Sequence, residues 1–217
     1  MKSKKNFLTL ISTLIVCALC ISIGVYQQNV GKKYLSEEQI EELREDYPVY
    51  QLAYPPQFSG GFPTLDQLIG DADTFVYGEI IEDLEIYSKN VLTGIPAIDE
   101  KKERMGYSSE YTFGRYRLRV IEDTENIFKP GDEIILSFNS EFIDYNPELK
   151  NGMKIVYSAF QWENDPKQTS YMTVGTYYVT DDGYALSAFP EEQKIMQARG
   201  TYSGVKVEYL LKQLKKK

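Results

Sequence analysis

The chain has 217 residues, with 24 Lys and Arg against 32 Asp and Glu, no His and two Cys. At 26% charged and 42% hydrophobic residues it is neither a disordered chain nor a multi-span membrane protein, and its length suits one domain with appendages. The missing histidine excludes a Ser-His-Asp triad, a Cys-His pair and every imidazole metal site, and Cys17 and Cys20 both fall in the first apolar run, which leaves no thiol chemistry to the folded part.

Phe7 to Tyr26 carry no charged side chain. A helix of that length spans roughly 30 Å, the hydrocarbon thickness of a bilayer. Lys2, Lys4 and Lys5 precede it without an acidic neighbour, which predicts a cytoplasmic N-terminus and an extracytoplasmic remainder. A cleaved signal peptide shares this layout, so secretion is the alternative, although Ser22-x-Gly24 is the nearest cleavage candidate and lies deep in the run. Lipidation fits poorly, because Val16 and Leu19 stand before the two cysteines. Removing Lys2, Lys4 and Lys5 from the 24 basic residues leaves 21 against 32 acidic, a net of −11. Such a body repels phosphate backbones, so nucleic acid is not an expected partner.

The expected organisation is a basic flank and anchor over 1–28, a helical stalk over 29–63 and a β-domain over 64–217. Ser36 and Gln39 form a capping box for a helix that should stop before Pro48. Thr64 and Gln67 repeat the box, with Gly70 placed to end the second helix. Thr74–Tyr87 then reads as a strand, with Val76, Gly78, Ile80, Leu84 and Ile86 on one parity and Glu79, Asp83 and Glu85 on the other. A loop of about twenty residues follows, long for a plain connection. Further strands are expected at Tyr111–Ile121, Glu133–Phe138, Met153–Trp162, Tyr171–Thr180 and Tyr184–Phe189. Phe128–Asp132 and Asn164-Asp165-Pro166 read as turns, and Asp182-Gly183 as a hairpin. A closing helix starts near Ser203, with Val207, Leu210, Leu211 and Leu214 forming its apolar stripe.

Short strands, turn-rich connections and a terminal helix predict a mainly β fold, a small antiparallel OB-like barrel with short flanking helices and an N-terminal transmembrane helix. The succession ADTFVYGEI, YTFGRYRLRVIED, FKPGDEIILSF, LKNGMKIVYSAF and VGTYYVTDDGYAL resembles membrane-anchored extracytoplasmic proteins of Gram-positive bacteria, mostly uncharacterised, over about residues 64–215. That resemblance implies an OB-like barrel and no particular activity. The lipobox such proteins often carry is absent here.

The candidate ligand face is the strand bearing Arg115, Arg117 and Arg119, with Tyr111 and Phe113 on the same parity. Guanidinium groups at every second position suit phosphate, sulfate or carboxylate groups, and the aromatics suit a sugar or base. The plainer reading pairs these arginines with Glu79, Asp83 and Glu85 across the sheet. Trp162, the only tryptophan, is either core edge or a stacking platform. Lys212, Lys215, Lys216 and Lys217 are a solvated helix end that also suits an anionic surface. Asp71 and Asp73, and the set Asn139, Glu141, Asp144, Asn146 and Glu148, miss the calcium-loop pattern, so no metal or cofactor is expected. The expected role is non-catalytic binding at the cell surface, toward anionic cell-wall polymer or a membrane protein partner. The alternatives are a carboxylate-dependent cell-wall glycan hydrolase, which needs two facing acids, and an accessory subunit of a membrane complex.

Overall fold

Two reciprocal caps start the first two helices. The computed structural model describes residues 34–49, 64–90, 92–107, 110–139, 149–171, 175–189 and 202–216. In α1 (Glu37–Leu43), Gln39 N–H donates to Ser36 Oγ at 3.3 Å and Ser36 N–H donates to Gln39 Oε1 at 3.1 Å. In α2 (Leu65–Asp71), Thr64 and Gln67 repeat the exchange at 3.2 and 2.7 Å. Each box satisfies two of the N–H groups that a helix start leaves orphaned. Gly70 does not end α2 as expected. It lies inside the helix, which stops at Ala72, where the backbone turns extended and leads into the first strand.

Residues from Ser36 onward form one compact unit. The segment after α1, read as stalk, is tied to the sheet. Arg44 Nη1 donates to the carbonyls of Ser187 at 2.9 Å and Tyr47 at 3.2 Å, and Nη2 reaches Ser203 Oγ at 3.3 Å. The Tyr47 ring sits 5.7 Å from that of Tyr178, whose hydroxyl donates to the Pro48 carbonyl. The apolar run Phe7–Tyr26 lies outside the described residues, and no described helix is long and apolar enough to cross a membrane.

The fold is mainly β. Its strands are β1 (Thr74–Asn90), β2 (Glu110–Asp123), β3 (Glu133–Asn139), β4 (Lys154–Trp162), β5 (Asp165–Tyr171), β6 (Tyr177–Val179), β7 (Tyr184–Ser187) and β8 (Val205–Lys206). They form one sheet in the order β1-β2-β3-β5-β4-β6-β7-β8, and an additional β1–β4 pairing closes its first five strands into a circuit. All pairs are antiparallel except β3 with β5.

Four expectations are corrected here. The single strand expected over Tyr171–Thr180 is two pieces: Tyr171 ends β5, and only Tyr177–Val179 form β6. The turn read at Asn164-Asp165-Pro166 runs straight into β5, whose proline falls at the irregularity in the β4 pairing and ahead of the β3 pairing, where a missing N–H is tolerated. The loop after Tyr87 holds a helix, α3 (Pro96–Arg104), with proline in its first turn and Asp99 accepting from Thr93 N–H at 2.9 Å and Thr93 Oγ1 at 2.8 Å. The parity along β1 also breaks. Register shifts between Ile80 and Glu82 and between Leu84 and Tyr87 rotate the strand, so Val76, Gly78 and Ile80 are buried while Ile86 faces solvent.

Two apolar cores result. The closed circuit packs Val76, Ile80, Leu118, Leu136, Ile155 and Tyr157 against one another. The second core gathers α2, β6, β7 and the terminal helix α4 (Val207–Leu214), which buries Val207, Leu210, Leu211 and Leu214. Each such leucine contributes roughly 1.5–3 kcal/mol relative to an exposed side chain. Between β2 and β3, Pro130 and Gly131 occupy the middle of a turn in which Asp132 N–H donates to the Lys129 carbonyl at 3.0 Å. Gly131 has φ 90, as the third position of a type II turn requires. Asp123 braces the β2 end of this connection by accepting from Thr74 Oγ1, Glu125 N–H at 2.9 Å and Phe128 N–H at 2.7 Å.

Candidate functional site

Strand alternation divides β2 into two faces. Leu118 and Val120 go to the interior, and Tyr116 stacks on Phe138 at 5.8 Å. Tyr111, Phe113, Arg115, Arg117 and Arg119 share the other parity and are half-buried or exposed. Register pairs them with Lys89, Tyr87, Leu84, Glu82 and Glu79 of β1 respectively.

The arginines do not act as one array. Arg117 Nε lies 2.8 Å from Glu82 Oε2, and Glu133 approaches Arg117 at 3.9 Å and Arg119 at 3.8 Å. Of the expected partners Glu79, Asp83 and Glu85, Glu79 does stand opposite Arg119 in register, but the ion pairs go to Glu82 and Glu133, because the bulge after Ile80 brings Glu82 opposite Arg117. Arg115 is different. Its Nε and Nη2 donate to the Glu85 carbonyl at 3.2 and 3.0 Å, and its guanidinium lies 4.9 Å from the centre of the Tyr87 ring. Among the described residues no carboxylate lies within ion-pair distance of it.

The far end of the same face gathers residues from four strands. Trp162, closing β4, donates from Nε1 to Ser170 Oγ of β5 at 2.7 Å. The edge of Phe113 meets it at 5.4 Å and 72°, and Lys89 Nζ stands 4.3 Å above its ring. Behind it, Gln168 Nε2 donates to Ser137 Oγ at 3.0 Å, both residues buried, which stiffens the floor between β3 and β5.

This is a half-buried aromatic strip of Tyr87, Phe113 and Trp162 with two cations, Lys89 and Arg115, set on its rings. No family model, curated protein or solved structure matches this chain. Its chemistry is therefore read from geometry. Flat apolar rings suit the C–H faces of a sugar or another planar group, and the two cations suit a carboxylate or phosphate on it. Exposed pairs such as Arg117–Glu82 are worth at most about 1 kcal/mol, so an incoming anion displaces Glu82 or Glu133 at small cost.

Of the residues singled out from sequence, the structure brings Phe113 and Arg115 into this strip, while Arg117 and Arg119 stand further along, paired with acids. Tyr111 sits opposite Lys89 in register. Tyr87 and Lys89 were missed. Their signal was the alternation of β1 continuing past Tyr87, hidden by the register shift there. Asp73, half of one proposed cation pair, spends Oδ2 on the Gln161 N–H at 2.7 Å. Glu141, Asp144, Asn146 and Glu148 lie outside the described residues, and no three potential ligands cluster among those described. Of the terminal lysines, Lys212 lies in the last turn of α4, Lys216 donates its N–H to Glu125 Oε1 at 2.9 Å, and Lys217 is outside the described residues.

Proposed function

We propose that this chain is a non-catalytic binding protein held outside the cytoplasmic membrane by Phe7–Tyr26, and that the closed circuit is an OB-like barrel. A five-stranded circuit in which β1 pairs with both β2 and β4 and β3 runs parallel to β5 supports the barrel reading. OB-type barrels take ligands on the outer face of strands two and three, between the loops joining strands one to two and four to five. Here that region carries Phe113 and Arg115, with α3 in one loop and Trp162 at the edge of the other.

The observation that carries the reading is the pair of cations, Lys89 over Trp162 and Arg115 over Tyr87, on a strip left half open to solvent. Such a strip grips an anionic glycan or cell-wall polymer by stacking and charge together. The test is co-sedimentation of the full chain with isolated cell-wall material. Lys89→Glu with Arg115→Glu abolishes the interaction while leaving circular dichroism unchanged. Retention of wild-type binding by a folded double variant rejects the proposal.

A further inference from the structure

The β1–β2 ribbon continues beyond the body and ends in an apolar tip. The last β2 pair flanked by β3 is Phe113 with Asn139, while β1 and β2 stay paired to Asn90 and Glu110. Three further residues carry the ribbon about 10 Å at roughly 3.3 Å each. That exceeds a Debye length of about 8 Å, so charges on the described body behind Phe113 are substantially screened at the tip.

At the tip, Leu92, Ile95, Ile98, Met105 and Tyr107 are 42% to 65% exposed, and α3 buries nothing. The helix separates its charges. Ile98, Lys101, Lys102 and Met105 follow the i, i+3, i+4, i+7 spacing of one face, and with Tyr107 and Tyr111 they line an open groove of about 550 Å³ that has Glu110 at its β2 side. Asp99, Glu100 and Glu103 line a different groove.

We infer that this tip docks on an anionic phospholipid surface, with Ile98, Met105 and Tyr107 entering the headgroup boundary and Lys101 and Lys102 meeting the lipid phosphates. The exposed Ile98, Met105 and Tyr107 are the apolar anchors such docking needs, and the stems of Lys101 and Lys102 let their charge stay at the phosphate level. A second copy is the poorer occupant, because docking the same groove on itself sets Lys101 and Lys102 of one copy against those of the other. The inference rests on the anchored reading, which supplies a membrane for the tip to meet.

The test uses the full chain with Cys17→Ser and Cys20→Ser, reconstituted in vesicles of phosphatidylcholine with or without phosphatidylglycerol. An environment-sensitive fluorophore is placed at Ile98→Cys, or at Asn151→Cys as an exposed control on the turn before β4. Docking predicts a blue shift and quenching by brominated lipid at position 98 alone, dependent on phosphatidylglycerol. Lys101→Gln with Lys102→Gln lowers that equilibrium by about 25-fold, roughly fivefold for each lysine charge removed at an anionic surface. If the chain floats with anionic vesicles yet position 98 stays as exposed as position 151, the inference falls. A shift that follows protein density and ignores lipid charge assigns the tip to a second copy and also overturns it. Flotation only with phosphatidylglycerol, lost in the lysine variant, keeps the docking and removes the anchor; no flotation under any condition removes both.

Discussion

Two buried tyrosines give opposite expectations for the same substitution. Tyr157 and Tyr177 are both fully buried. The Tyr157 hydroxyl lies 2.9 Å from Thr169 Oγ1, which donates in turn to the Ile135 carbonyl at 3.1 Å, so this chain of bonds ties β4, β5 and β3 inside the circuit. Tyr177 Oη has no partner among the described residues. Tyr157→Phe removes a satisfied hydrogen bond and costs about 1 kcal/mol. Tyr177→Phe removes a desolvated, unmatched hydroxyl and stabilises by about 1–2 kcal/mol. The variants should therefore differ by about 2–3 kcal/mol in urea unfolding of the detergent-solubilised full chain, followed by circular dichroism. Burial pushes both phenols above their ordinary 10.0, so unfolded tyrosine ionises first. The stability they hold is complete below pH 10 and falls as pH rises further, by about 1.4 kcal/mol per pH unit for each. Phenylalanine at either position removes that share of the slope. Equal shifts of the same sign from both variants would refute the reasoning.

Two further outcomes test the body. Arg44→Ala strips the carbonyls of Ser187 and Tyr47 and the Ser203 hydroxyl of a charged donor; it should cost about 1.5–3 kcal/mol and make the segment after α1 the first site cut in limited proteolysis. Asp123→Ala leaves the Phe128 N–H without its acceptor, the Glu125 N–H with only a 3.3 Å contact to Thr74 Oγ1, and the Thr74 hydroxyl with only the Phe75 carbonyl and Thr124 Oγ1. It should cost about 2–4 kcal/mol in the same urea assay, and a loss below about 0.5 kcal/mol would show that water takes over.

What could be read from sequence was local chemistry. Both capping boxes, the Pro130-Gly131 turn, the Asp182-Gly183 hairpin and the leucine stripe of α4 each depend on residues within a few positions of one another. Gly183, with φ 76, shows why the hairpin was legible: the turn needs a residue that tolerates that geometry. β5 was not legible, because DPKQTSY has neither branched residues in number nor an apolar parity, and its place depends on partners in β3 and β4. α3 was hidden for a related reason: it buries nothing, so it carries no apolar period. The parity of the arginine strand was correct, yet the acids facing it depended on a bulge that no local signal announced. The aromatic strip joins residues 89, 113 and 162 through β1, β2 and β4, a meeting only the closed circuit produces.

Because Trp162 is the only tryptophan and stands within the proposed ligand face, its emission reports that face alone. Titrating the full chain with a soluble anionic cell-wall polymer should change Trp162 fluorescence saturably as the ligand displaces Lys89 from the ring, with no change when Lys89→Glu and Arg115→Glu are combined. Saturated binding of the polymer, measured by co-sedimentation, with Trp162 emission unaltered would place the ligand elsewhere and contradict the account.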